Sequence, residues 1–203
     1  MINTKQLRCW IGFLGMMLPW IVLVLSIVFG YGFPQSISAT YFIEPCVAPF
    51  MIILGSASIL LCCYKGYDKV DDVLNTVGGI LGLCICLFPC SATELPRIGM
   101  LHLPAAISNI IHCISAVGFF GILAYNSWFQ FTKCEGLPTQ NKIARNTIYR
   151  MCSIGMIITF VMLPIMSIFA IPGGVWIVEA LALFWFGLAW ITKAERFKWL
   201  YAD

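Results

Sequence analysis

Six apolar stretches, each about as long as a bilayer is thick, constrain the fold of this chain more than any motif does. They cover about residues 9–30, 46–64, 73–89, 104–131, 148–170 and 175–192. A helix needs roughly 20 apolar residues to cross the hydrocarbon core of a membrane. Charged residues make up 10% of the chain, whereas a soluble domain has about 25%. The sequence therefore predicts an all-α polytopic membrane protein, a bundle of six transmembrane helices.

The segments between the stretches are short, so the whole chain, 1–203, is predicted to form a single membrane domain. A separate soluble domain would need at least about 50 residues. The first apolar stretch has 22 residues, more than the roughly 7–15 of a secretory signal, and predicts a retained anchor helix. Cleavage near the small residues Ser36–Ser38 is the alternative.

The distribution of basic residues predicts the orientation of the bundle. Of the 12 Lys and Arg residues, only Arg97 falls on the side opposite to the chain termini. Loops rich in Lys and Arg stay in the cytoplasm. Both termini are therefore expected to be cytoplasmic, which agrees with an even number of spans.

Polar groups inside the apolar stretches are concentrated in the outer half of the predicted bundle. His112 lies in the fourth stretch and Glu179 in the sixth, at depths of about 12 and 7 Å if each residue adds 1.5 Å. Ser108, His112 and Ser115 share one helix face, and Asn109 is adjacent. Ionisable residues inside a membrane are usually functional. No comparable polar cluster is expected in the inner half.

The first outer loop carries further polar side chains that can fold back over this region, namely Ser36, Ser38, Tyr41 and Glu44. The candidate ligand-binding residues of a polar pocket open to the outer leaflet are Ser36, Ser38, Tyr41, Glu44, Ser108, Asn109, His112, Ser115 and Glu179. His112 and Glu179 are also its candidate catalytic residues. In the alternative, structural interpretation, a buried His112–Glu179 pair only joins the fourth and sixth helices, with a contribution of about 1–2 kcal/mol.

Two patterns predict structural roles, one in helix packing and one in helix capping, rather than a chemical function. Gly78, Gly82 and Cys86 recur at i, i+4 spacing in the third stretch, and small residues at this spacing let helices approach closely. This face is expected to pack within the bundle or to join copies of the chain in an oligomer. The acids of the turn before this stretch, Asp68, Asp71 and Asp72, are expected to cap the third helix, because negative charge is favourable at a helix N-terminus.

Most of the ten cysteines fall within apolar stretches, where a free cysteine packs as a small hydrophobe. Cys46 and Cys90 both lie near the predicted outer surface, so a disulfide between them is left open. Cys84 and Cys86 would point about 200° apart on a helix, a poor arrangement for chelation. With only two histidines in the chain, neither a metal site nor another cofactor is expected.

Three segments resemble the DRAM/Frag/Sfk six-helix membrane proteins. The outer loop Pro34-Gln35-Ser36-Ile37-Ser38-Ala39 resembles that family's proline- and Ile-Ser-containing loop, and His112 to Phe120 resembles its H-x-x-x-A-x-x-F-F segment. Glu179 looks like the acidic residue that opens the family's last span. The chain departs from the family where the usual S-D-x-G is Ser38-Ala39-Thr40-Tyr41. The resemblance implies a six-helix bundle with a lipid-related role, in a bacterial inner membrane.

No sequence motif specifies a reaction, since the chain has no H-E-x-x-H, G-x-S-x-G or P-loop pattern. The favoured hypothesis is a lipid-binding or membrane-organising protein whose partners are membrane lipids rather than nucleic acid. The first alternative is a lipid-modifying enzyme in which His112 acts as a general base with Glu179 or a serine. The third hypothesis is a small transporter, and the apolar inner half of the bundle argues against it.

Overall fold

The computed structural model of the chain describes residues 3–91 and 94–201, which form six long helices. These are α1 (Thr4–Val28), α2 (Glu44–Cys63), α3 (Lys69–Leu87), α4 (Ala105–Tyr125), α5 (Gln140–Ile168) and α6 (Gly174–Lys193). All six are long and apolar enough to span a membrane, α4 together with the π-helical turn Asn126–Gln130 that continues it. The predicted all-α six-helix bundle is confirmed.

Polar caps explain why three helices begin earlier than the apolar stretches. Asn3 caps α1 by accepting a hydrogen bond from the Lys5 amide, and Thr139 caps α5, which begins eight residues before the predicted boundary at 148. The Asp68 carboxylate accepts a hydrogen bond of 2.9 Å from the Asp71 amide at the start of α3. The expected capping of the third helix by this turn is therefore confirmed.

The helices follow one another around the bundle in the order α4, α3, α2, α1, α6, α5, and each packs along its neighbours. The ring is loosest between α5 and α4, and α4 scarcely touches α6. Near the chain termini, α4 and α5 are joined by a 2.8 Å hydrogen bond from the Ser153 hydroxyl to the Ala124 carbonyl. In the other half of the bundle, a space remains between α4, α5 and α6.

The two ends of the bundle differ in character. The basic end contains both termini and the connections 64–68 and 131–139, and Lys5 forms an ion pair there with Glu195. The opposite end contains the connections 29–43, 88–104 and 169–173. Its first connection includes a 3₁₀ helix, Ser38–Phe42, and its second a two-residue antiparallel hairpin of β1 (Arg97–Ile98) and β2 (Leu103–Pro104), in which Ile98 pairs with Leu103.

The stripe of small residues on α3 is buried inside the bundle. A Cβ added to Gly82 would collide with the Ser58 hydroxyl of α2 and lie 3.1 Å from the Phe119 ring of α4, and one added to Gly78 would lie 3.4 Å from the Ile122 side chain of α4. Beside the stripe, a Cβ added to Gly79 would lie 2.5 Å from the Ser58 carbonyl oxygen of α2. Cys86, at the end of the stripe, is 4% exposed. The stripe therefore provides the close packing of α3 on both neighbours, and its use between copies of the chain stays a prediction.

All ten cysteines are free thiols, so the disulfide left open for Cys46 and Cys90 is not formed. The Cys46 thiol lies 3.3 Å from the Val22 carbonyl oxygen of α1, to which it donates a hydrogen bond. Cys46 is fully buried, as expected for a cysteine that packs as a small hydrophobe.

The expectation that the inner half has no polar cluster is wrong. Near the basic end, the Asn75 amide nitrogen donates to the Asp71 carboxylate at 2.7 Å, and the Asn126 amide nitrogen donates to Asn75 Oδ1 at 3.1 Å. All three side chains are 1% exposed or less. Uncharged amides are easily overlooked in an apolar stretch, but here Asn126 donates to Asn75 across the contact between α3 and the end of α4, while Asn126 Oδ1 has no partner among the described residues.

We expect Gly79→Ala to lower the free energy of unfolding by about 1–3 kcal/mol, because the new methyl group must push α2 away from α3. Gly55→Ala on α2 is the matched control, since an added Cβ there meets nothing within 4 Å. Unfolding in detergent, followed by circular dichroism, measures both. Equal stabilities of the two variants would contradict this account of the α2–α3 contact.

Candidate functional site

A cavity of about 870 Å³ occupies the space between α4, α5 and α6 in the half of the bundle nearer the opposite end. Most of its wall is apolar and includes Phe119, Phe160 and Leu183. The polar side chains in the wall are Ser36, Ser38, Ser91, Asn109, His112, Ser167 and Glu179, and Ser38 lies within hydrogen-bond distance of both His112 and Glu179. An apolar cavity with a few convergent polar groups is the usual form of a small-molecule site.

The Glu179 carboxylate fixes the loop that forms the polar side of this wall. Glu179 lies in the second turn of α6 and accepts a hydrogen bond from the Ile37 backbone amide, which precedes the 3₁₀ helix. Its other oxygen accepts a hydrogen bond of 3.3 Å from the Ser38 hydroxyl. A carboxylate can satisfy the unpaired N–H groups that a short helix leaves at its start. Glu179 therefore holds a non-helical segment against the bundle.

His112 lies between the same loop and the end of α3. Its Nδ1 is 2.9 Å from the Phe88 carbonyl oxygen, and its Nε2 is 3.2 Å from the Ser38 hydroxyl oxygen. Because a carbonyl oxygen only accepts, Nδ1 must carry a proton. In the neutral ring, Nε2 is then an acceptor for the Ser38 hydroxyl. The single Ser38 hydroxyl proton can therefore be donated to only one neighbour at a time, Nε2 of His112 or Oε1 of Glu179.

Two other polar side chains of α4 hydrogen-bond to the backbone that follows α3. The Ser108 hydroxyl donates to the Pro89 carbonyl at 2.8 Å, and the Asn109 side-chain oxygen accepts from the Ser91 amide at 3.0 Å. Backbone groups just beyond a helix have no helical partner and must be satisfied by side chains in an apolar medium. Part of the predicted polar face is therefore structural.

The structure brings five of the nine predicted site residues to the cavity, and four lie elsewhere. Tyr41 packs edge-on against Phe50, and Glu44 is exposed at the start of α2. Ser108 and Ser115 are buried but do not line the cavity. His112 and Glu179 do not contact each other directly, since Ser38 bridges them.

Side chains of α4 and α5 that line the cavity are also exposed on the outside of the bundle, which indicates a lateral opening between these two helices. Val117 of α4 and Val161 of α5 both line the cavity, yet their exposed fractions are 56% and 60%. Cys113, one turn from Val117, is also exposed and lines the cavity. A molecule in the bilayer can reach the polar wall through this gap without crossing water.

Sequence reasoning missed the backbone groups of the site, the Ile37 amide and the Phe88 carbonyl. Their roles depend on where α3 ends and where the loop folds back, and neither carries a side-chain signal. Within residues 3–91 and 94–201, no group of three or more His, Cys, Asp and Glu residues is arranged to hold a metal ion. The chain matches no family model, no curated protein and no solved structure.

We expect Glu179→Ala to destabilise the protein by about 1–3 kcal/mol, because it leaves the Ile37 amide without an acceptor in a buried site. Glu179→Gln should cost less, since its side-chain oxygen can still accept. Glu44→Ala removes an exposed carboxylate at the same end of the bundle and serves as the control. Thermal unfolding at neutral pH compares the three, and the hypothesis fails if Glu44→Ala costs as much as Glu179→Ala.

Proposed function

We propose that this chain is a multi-pass protein of a bacterial inner membrane that binds a membrane lipid in the cavity between α4, α5 and α6. The observation that carries the proposal is the combination of an apolar chamber of about 870 Å³, a lateral gap, and a single polar cluster formed by Ser38, His112 and Glu179. Acyl chains fit the apolar wall, and a headgroup fits the polar cluster.

The polar cluster, rather than the apolar wall, must provide the selectivity. A lipid tail gains little when it leaves the bilayer for an apolar cavity, because both surroundings are hydrocarbon. The Glu179 carboxylate forms no ion pair with any cation in the part of the chain that the structure describes. Its oxygens and Nε2 of His112 are acceptors, which favours a headgroup that donates hydrogen bonds through hydroxyl or amine groups.

Two further considerations support this proposal. The positive-inside rule puts the basic end in the cytoplasm, so the cavity would serve the outer leaflet. The likeness of the loop around Ser38, of the segment after His112 and of Glu179 to the DRAM/Frag/Sfk proteins also suggests a lipid-related role. Both are inferences from the sequence and are independent of the cavity itself.

We expect Ala116→Phe to abolish lipid retention, because Ala116 lines the cavity and the added ring would fill it. Ile52→Phe adds a comparable bulk at a position on α2 that is 66% exposed and serves as the matched control. Native mass spectrometry of the proteins purified in mild detergent measures the bound lipid. Wild-type protein without retained lipid, or equal retention by both variants, would count against the proposal.

The contact between Ser38 and His112 favours a second candidate, a lipid-modifying enzyme that transfers acyl groups. The Ser38 hydroxyl is 3.2 Å from His112 Nε2, while Nδ1 is held by the Phe88 carbonyl, the relation of nucleophile, base and orienting group that acyl transfer uses. Ser38 Oγ would bond to the carbonyl carbon of a lipid ester as its proton passes to Nε2. The bond to the leaving alcohol would then break, and Nε2 would return the proton to that alcohol.

This second candidate predicts that a long-chain fluorophosphonate labels Ser38 in intact membranes and releases fluoride. His112→Gln should slow labelling by about 10²–10⁴-fold, the usual contribution of a general base. Ser38→Ala should abolish it, and Ser56→Ala, which removes a hydroxyl of α2 outside the cavity lining, should leave it unchanged. Absence of labelling in the wild-type protein would leave lipid binding as the function.

A further inference from the structure

A second feature of the molecule lies at the basic end, beyond the rings of Phe119 and Phe186 that separate it from the cavity. Four buried aromatic rings, which we call the aromatic layer, pack edge to face there: Tyr64, Phe131, Tyr149 and Trp190. The ring centroids of Phe131 lie 5.5 Å from Tyr149 and 5.2 Å from Trp190, and those of Tyr64 and Trp190 are 5.0 Å apart. All four side chains are 1% exposed or less. The layer is therefore closely packed and shielded from solvent.

Three cations from three different helices lie over this layer. Arg8 of α1 lies 5.5 Å from the Tyr64 ring centroid, Lys142 of α5 lies 5.9 Å from that of Tyr149, and Lys193 of α6 lies 5.2 Å from that of Phe131. Cation–π contacts within about 6 Å are favourable. The fold thus gathers three like charges in one place.

The polar partners of these cations are neutral. Arg8 donates to the Tyr64 hydroxyl and to the Lys193 carbonyl, both at 3.3 Å, and Lys142 donates to the Phe131 carbonyl at 3.0 Å. The Lys193 ammonium makes neither a hydrogen bond nor an ion pair with any residue in 3–91 and 94–201. These contacts orient the cations but neutralise none of them.

The carboxylates at this end are engaged elsewhere. Asp68 pairs with Lys133, Asp72 with Lys65, and Glu195 with Lys5. Asp71 acts on Lys193 from a distance, as do Arg8, Lys142 and Arg145. The Asp71 oxygens accept hydrogen bonds from the Tyr67 amide and the Asn75 side chain. Arg8, Lys142 and Lys193 therefore form no ion pair with a carboxylate of the described residues.

We propose that Arg8, Lys142 and Lys193 form a binding site for a phosphate group, supplied by an anionic lipid headgroup or by a soluble phosphate. Like charges held close together repel one another, and an anion between them removes that repulsion. Basic pockets between helices on the cytoplasmic side of a membrane commonly take phospholipid headgroups. Trp190 Nε1 is a buried donor of the aromatic layer that has no partner among the described residues.

The full-length protein in nanodiscs tests the site by competition between phospholipids. Wild-type protein should retain phosphatidylglycerol in preference to phosphatidylcholine when native mass spectrometry counts the bound lipids. Lys193→Gln and Lys142→Gln should each reduce this preference by about fivefold, the effect of one cation beside an anionic headgroup. Lys193→Arg should preserve it, and Lys198→Gln, which removes an exposed charge from the same end, should change it by less than about twofold.

A second arm separates the two sources of phosphate. Inorganic phosphate at millimolar concentration is added to protein in phosphatidylcholine nanodiscs, and the melting temperature is compared with that in equal ionic strength of chloride. Stabilisation of the wild type that Lys193→Gln abolishes identifies a soluble phosphate as a sufficient ligand. A preference for phosphatidylglycerol without this stabilisation identifies the lipid headgroup. The proposal is overturned if the wild-type protein shows neither effect. It is also overturned if Lys193→Gln and Lys198→Gln cause equal losses.

Discussion

The hydrogen bonds that Glu179 accepts from the loop before α2 determine where the polar site lies. Non-helical backbone is tolerated at membrane depth only where its polar groups are satisfied by the protein. The Glu179 carboxylate supplies that acceptor for the Ile37 amide and, in doing so, brings the Ser38 hydroxyl within 3.2 Å of His112 Nε2. Without this contact, the Ile37 amide would lack an acceptor when the loop covers the space between α4 and α6.

The same requirement explains the polar face of α4. Where α3 ends, the Phe88 and Pro89 carbonyls have no helical donors, and His112 and Ser108 provide them. His112 therefore has a structural role at Nδ1 and an open chemical role at Nε2. This structural role differs from the His112–Glu179 pair between the fourth and sixth helices that the sequence left as an alternative, because Nδ1 contacts the end of α3 and Glu179 is reached only through Ser38.

Sequence patterns predicted the features that depend on hydrophobicity. They did not predict the contacts that depend on backbone geometry. Length and polarity were enough to place six spans, and the shared depth of His112 and Glu179 was visible from the pattern alone. The bridge through Ser38 depends on the 3₁₀ turn at Ser38–Phe42, which has no hydrophobic periodicity. The pair Asn75 and Asn126 escaped notice because each amide looks isolated in its own helix, and only the crossing of α3 and α4 brings them to 3.1 Å.

An apolar middle separates the two polar regions of the molecule. Phe119 lines the cavity and packs against Phe186 at 6.2 Å, and Phe186 packs against Trp190 of the aromatic layer at 6.3 Å. All three are 2% exposed or less, so this column of rings fills the bundle between its two ends. An ion would have to shed its hydration there without replacement ligands, which is prohibitively costly. This column of rings therefore argues against a path for solutes from one end of the bundle to the other.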